Sequence, residues 1–170
     1  MKKAELTQGA NPNQHMVLLI HKAPKQCTMR TNAALTGEKK VKGRKRHIVV
    51  DTDGNLLAIN VHAANIHDTV GGKQVYDKAI ALYPSIKGIS ADMGYRKTFA
   101  EHVVSTGRKC DITEKIKPKE WKITPKRWVV ERTFGWASHS RRLSKDFEIT
   151  TKSEESWFLI SHCHTLLKRY

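Results

Sequence analysis

The Asp53-Gly54 pair, set between the apolar stretches RHIVV (46–50) and NLLAINVH (55–62), constrains the fold more than any other feature of this chain. Both residue types tolerate positive φ, so the pair predicts a two-residue hairpin joining two antiparallel strands. Before it, the apolar run MVLLI (16–20) has the length of a buried strand. After it, Val75, Tyr76, Ala79, Ile80 and Tyr83 recur at helical spacing and stop before Pro84, predicting a helix over 73–83. IKGISA (86–91) reads as a further strand, 97–105 as a helix stopped by Gly107, and KCDIT (109–113) as a last short strand. A Lys-rich loop, 114–126, leads into two long helices at about 127–140 and 153–169, with Thr151 and Glu154 spaced as a capping box for the second.

This order predicts an α/β fold, a mixed sheet flanked by helices, with the strand before Asp92 parallel to the first. A length of 170 residues fits one domain, expected over 16–170 behind a loose tail at 1–15. Lys and Arg number 31 against 16 Asp and Glu, a formal net charge of +15 that favours polyanionic partners. No stretch approaches the roughly 20 apolar residues of a membrane helix and the start lacks an apolar signal core, so a soluble, cytoplasmic protein without a membrane partner is expected. The 3 cysteines are widely spaced, without a C-x-x-C pair, and suggest neither a disulfide framework nor a zinc ribbon. His162 and His164 flank Cys163, but alternate helical positions point apart, so a packed helix is expected there rather than a metal site.

Open sheets of this kind place their sites at the carboxyl ends of parallel strands, where Asp92 is expected. A second carboxylate, Glu131, lies on PKRWVVERTFGW, with Arg127 one helical turn before it. Two such carboxylates suit a hard divalent cation, and paired cations activate the attacking oxygen and stabilise the leaving one in phosphodiester chemistry. Each also has an ordinary reading: Asp92 as a turn residue bonded to its own backbone, Glu131 and Arg127 as a surface helix pair. The run Lys39, Lys40, Lys42, Arg44, Lys45, Arg46 reads as a DNA-binding arm beside the catalytic mouth, with a solvated hairpin edge as the alternative. Phe134, Trp136, Trp157 and Phe158 are spaced as core residues, base stacking being their minor alternative.

From about Arg30 to Tyr170 the sequence resembles the catalytic domain of bacterial insertion-sequence transposases of the DDE class. The resemblance is carried by KKVKGRKRHIVVDTDG (39–54), AANIHD (63–68), ADMGYR (91–96), PKRWVVERTFGW (125–136) and RRLSKDFE (141–148), which are specific in this order and spacing. It implies a ribonuclease-H-like fold, a three-stranded antiparallel part continued by parallel strands. It also implies an Asp, Asp, Glu triad holding Mg²⁺, or Mn²⁺ in its place, and cleavage of element ends followed by strand transfer into target DNA. Asp92 would be the second aspartate, Glu131 the glutamate and Arg127 the family's matching arginine, with Arg141 and Arg142 among the DNA contacts. Where the family carries its first aspartate, VLLI runs into His21. Imidazole suits softer ions than magnesium, so impaired chemistry is expected. Asp51 and Asp53 sit at the hairpin tip, toward the far end, and Asp68 is the one local replacement in reach.

A second departure is Ser138, followed by His139, seven residues after Glu131, where relatives carry a basic side chain. The first residues are too few to form the family's upstream DNA-recognition segment, so a truncated copy is expected. The resemblance implies DNA as partner, at element ends and target, together with a second copy of the chain or a full-length transposase, and a place at the bacterial nucleoid. A non-enzymatic DNA-binding remnant is the alternative.

Overall fold

The hairpin forms, with a longer connection than two residues. Strand β3 (Lys42–Val50) pairs antiparallel with β4 (Leu56–Ala63), Ile48 opposite Ile59, and a register shift falls at Val49/Val50. The Asp51 carboxylate organises the loop between them, accepting from the backbone N–H of Asp53 at 2.9 Å and of Asn55 at 2.8 Å. Gly54 takes φ +85°, the left-handed conformation that made the pair informative. The computed structural model describes residues 15–22, 34–35, 42–113 and 127–169, with side chains for 43–112 and 128–169. Lys39, Lys40, the tail at 1–14 and the loop at 114–126 lie outside the described residues.

Strand β1 (His15–Lys22) pairs antiparallel with β3 and parallel with β5 (Gly88–Asp92), which pairs in parallel with β6 (Lys109–Thr113). A two-residue strand, β2 (Ala34–Leu35), which sequence periodicity does not reveal, joins the start of β3. The sheet therefore has the expected three-stranded antiparallel part, β1, β3 and β4, continued by parallel strands. The expected order of helices also holds: α1 (Asp68–Leu82), α2 (Thr98–Ser105), α3 (Arg127–Ser138), the single turn α4 (Arg141–Ser144) and α5 (Thr151–Leu167).

Strand alternation divides the core. Val49, Ala58, Ile89 and Ala91 face α1 and α2, against Val75, Tyr76 and Phe99. Ile48, Val50, Ile59 and Val61 face the opposite side, against Val130 and Phe134 of α3 and Phe158 of α5. Each large apolar side chain fully buried in this way contributes about 1.5–3 kcal/mol. The period of two thus decides which helix each strand residue meets.

Two boundaries differ from the sequence expectation. Helix α1 begins at Asp68 rather than near 73, capped by His67, whose ring accepts from the Thr69 N–H. Gly71 and Gly72 disguise its first turns; both are buried, and a Cβ on Gly71 would stand 2.1 Å from His62 Nε2, one on Gly72 2.3 Å from the Tyr95 ring. Close approach of the helix to the sheet demands glycine where propensity disfavours it. At α5 the cap is Thr150, accepting from the Ser153 N–H at 3.1 Å, not Thr151. Glu154 is withdrawn from capping because buried arginines engage it.

Candidate active site

Asp92 closes β5 at the carboxyl end of the parallel strands, as expected. Ile89 and Ala91 belong to the α1 and α2 side, so alternation puts Asp92 on the side of α3. Asp92 Oδ1 accepts from the Met93 N–H at 2.8 Å and caps the 3₁₀ turn Met93–Tyr95. The turn bond anticipated as the ordinary reading of this residue is present. Glu131 is exposed on α3, and that helix packs on β1 and β3. Asp92 and the helix bearing Glu131 thus share one side of the sheet. Arg127 is the first residue of α3, and its side chain lies outside the described set.

His21 is next to last in β1, in register with Arg46. Leu18 is level with Ala91, so continuing that register sets the backbone of Leu19 level with Asp92 and that of His21 two positions beyond. That offset is about 7 Å along the strand. Among the described residues, no three His, Cys, Asp or Glu side chains gather into a metal-holding group. Asp51 builds the distant hairpin loop, and Asp68 pairs with Lys45 at 2.7 Å.

The basic arm requires correction. Arg44 is 1% exposed, Lys45 8% and Arg46 4%. Arg44 meets Glu154 at 3.2 Å and Asp146 at 3.4 Å and donates to the Ile149 carbonyl at 2.7 Å. Arg46 pairs with Glu154 at 2.5 Å and donates to the Leu143 carbonyl at 2.9 Å. Lys45 points to the other side, toward Asp68 and the Ile66 carbonyl. Strand β3 lies between β1 and β4 with helices over both faces, so these three cations have no solvent side on which to meet phosphate. Arg44 and Arg46 fasten the RRLSKDFE segment and the start of α5 to one face of the sheet, and Lys45 ties the start of α1 to the other. Of Lys42 only the backbone is described. Arg141 is exposed; Arg142 pairs with Glu148 at 2.8 Å and stacks on Trp157 at 4.9 Å.

The aromatic expectation divides. Phe134 and Phe158 are core and the half-buried Trp157 packs against them, whereas Trp136 is half-buried with the Arg132 and Arg169 guanidiniums over its ring at 4.8 and 4.9 Å. Ser138 and His139 are both exposed at the end of α3. His162 Nε2 accepts from the Leu56 N–H at 2.9 Å, and burial lowers its pKa below the ordinary histidine value.

Sequence reasoning missed a buried row beside Asp92. His47 Nε2 lies 2.6 Å from His62 Nε2, and His47 Nδ1 lies 2.8 Å from the Tyr95 hydroxyl. His62 Nδ1 faces the Ala63 carbonyl at 2.8 Å. Burial, with His62 and Lys45 nearby, lowers the His47 pKa from 6.5 to about 3; burial likewise raises that of Tyr95. The available signal was positional: His47 and Tyr95 lie inside quoted motifs, and His62 directly precedes one.

The fold has known counterparts. A chain from the simian T-cell lymphotropic virus intasome, solved in complex with the PP2A regulatory subunit B56 gamma, superimposes with a TM-score of 0.59 at 15% identity, over 95% of this chain and 51% of that one. The catalytic core domain of BIV integrase does so at 0.51 and 9% identity, over 87% of this chain and 80% of that domain. These likenesses show the ribonuclease-H-like, integrase-type fold. A protein of Burkholderia cepacia, named as a transposase for insertion sequence element IS402, is 31% identical over 115 residues, covering 62% of this chain. The chain spans about half, 54%, of that relative's length. The family model described as "Transposase DDE domain" matches residues 21–166, nearly the whole chain, and on that match the chain belongs to the DDE transposase family.

Proposed function

We propose that this chain is the catalytic domain of an insertion-sequence transposase. It would cleave DNA at element ends and transfer the 3′-hydroxyl into target DNA, with Asp92 and Glu131 holding Mg²⁺, or Mn²⁺ in its place. The observation that carries this reading is the position of Asp92: last in β5, parallel to β1, on the side of the sheet covered by the helix bearing Glu131. The donor set fits a hard divalent cation, since both groups are carboxylates. A cation bound there would polarise a phosphodiester oxygen and lower the pKa of an attacking hydroxyl or water. The carboxylates fix its place, and Arg127, one turn before Glu131, offers a positive charge to phosphate. Arg141 and Arg142 extend the phosphate-binding surface, now that Arg44, Lys45 and Arg46 are assigned to the interior.

His21 stands at the carboxyl end of β1, in the place of the first aspartate, and supplies no bridging carboxylate. The chain as written is therefore expected to show little or no end cleavage. With labelled duplex ends and Mg²⁺ or Mn²⁺, His21→Asp should raise cleavage by about a hundredfold or more, since even indirect supports of a metal cost ten- to a hundredfold when lost. Asp92→Asn in the His21→Asp background should abolish the gain. Robust cleavage by the unaltered chain would overturn the assignment of His21. Failure of His21→Asp, with salt-dependent DNA affinity indifferent to Asp92→Asn, would instead mark a non-enzymatic DNA-binding remnant, because phosphate contacts alone would carry the interaction.

A further inference from the structure

Each proton in the His62, His47, Tyr95 row is assigned by what its neighbours can do. The Ala63 carbonyl only accepts, so His62 Nδ1, 2.8 Å away, carries a hydrogen. A neutral His62 then has a lone pair at Nε2, and His47 Nε2, at 2.6 Å, donates to it. That leaves the His47 Nδ1 lone pair to accept from the Tyr95 hydroxyl at 2.8 Å. The hydrogen bonds run in one direction, from Tyr95 to the Ala63 carbonyl, with both imidazoles neutral.

The charged groups around the row are Lys45 of β3, Asp68 of α1 and, near Tyr95, Asp92. Lys45 opposes a charge on either ring, and its own partner is Asp68. Helix α1 presses on the row through Gly71 and Gly72, with no space for a Cβ at either. A row packed this tightly holds its atoms in one arrangement.

Its far end matters for the site. Tyr95 closes the 3₁₀ turn that Asp92 opens, and Asp92 Oδ1 holds the Met93 N–H within that turn. We propose that Tyr95, held through His47 and His62, is a positioning residue for Asp92: the one-directional row ties the turn's end to β3 and β4 and so sets where the carboxylate points. This rests on the reading of Asp92 as a site carboxylate.

The test reads the turn itself. In Tyr95→Phe, amide hydrogen exchange at Met93 should speed up about tenfold, the equivalent of one buried hydrogen bond, while the core amides of Ile48 and Ile59 change less than twofold. Equal acceleration at all three would reduce Tyr95 to a general structural role, and no change at Met93 would overturn the proposal. Should Tyr95→Phe not fold, nitrogen-15 spectra of the unaltered protein still decide. His62 is expected as the Nδ1–H tautomer and His47 as the Nε2–H tautomer, neutral at pH 5; reversed tautomers or a charged His47 would sink the idea. Mn²⁺ titration of Asp92→Asn separates the two readings. Undiminished Mn²⁺ binding there would remove the metal assignment of Asp92 while leaving the exchange result standing on its own.

Discussion

Glu154→Ala is expected to destabilise the protein by about 3–5 kcal/mol, the usual consequence of stranding a buried charge. Glu154 is 1% exposed and meets both Arg44 and Arg46, so its removal takes a shared carboxylate from two buried guanidiniums. Against a total stability of about 5–15 kcal/mol, such a loss takes a large share. With a urea slope of about 1–3 kcal/mol per molar, the unfolding midpoint should fall by roughly 2 M. Glu154→Gln, which keeps the side-chain shape and one acceptor, should fall less. A shift below about 1 kcal/mol for the alanine variant would show that water reaches the cluster and screens it.

Acid should destabilise the fold steeply, starting well above the range in which carboxylates protonate. The unfolded chain protonates His47 near 6.5, whereas the folded chain keeps it neutral until about 3. Between those values the unfolded state binds the extra proton, so stability is intact above about pH 6.5 and falls as pH drops toward 3. The slope is about 1.4 kcal/mol per pH unit for this one group, or roughly 4–5 kcal/mol across the window. His62 and His162, whose pKa values are also lowered, act in the same direction. Urea midpoints measured at pH 7 and pH 5 should differ in the unaltered chain and differ less in His47→Gln. Midpoints independent of pH over that range would mean that water already hydrates His47 in the folded state.

Much of the fold was legible because local signals and packing agree. Gly54 marked the hairpin, the apolar stretches beside it marked two antiparallel strands, and Pro84 ended α1 within two residues of its observed last turn. The failures have one cause: tertiary contacts decided what local chemistry left open. Gly71 and Gly72 look like breakers until the rings beneath them are seen. Glu154 fits a capping box by spacing, but two cations on a distant strand outbid the Thr151 backbone. The arginines of β3 look like a phosphate-binding arm because charge runs are usually solvated, and no sequence period says that β3 lies in mid-sheet. Of the candidate site, the place of Asp92 at the carboxyl end of a parallel strand followed from strand order. The His47 row did not, since its members come from three separate segments.

Strand β4 carries a consequence for assembly. Among the described strands it pairs with β3 alone, yet three of its backbone groups are occupied by side chains: Glu155 accepts from Val61 N–H, His162 from Leu56 N–H, and Lys78 donates to the Ile59 carbonyl. Side chains of α1 and α5 thus stand where an approaching peptide would have to pair, which blunts this border against intermolecular sheet growth. Copies that join through main-chain pairing are steered toward a different margin of the molecule.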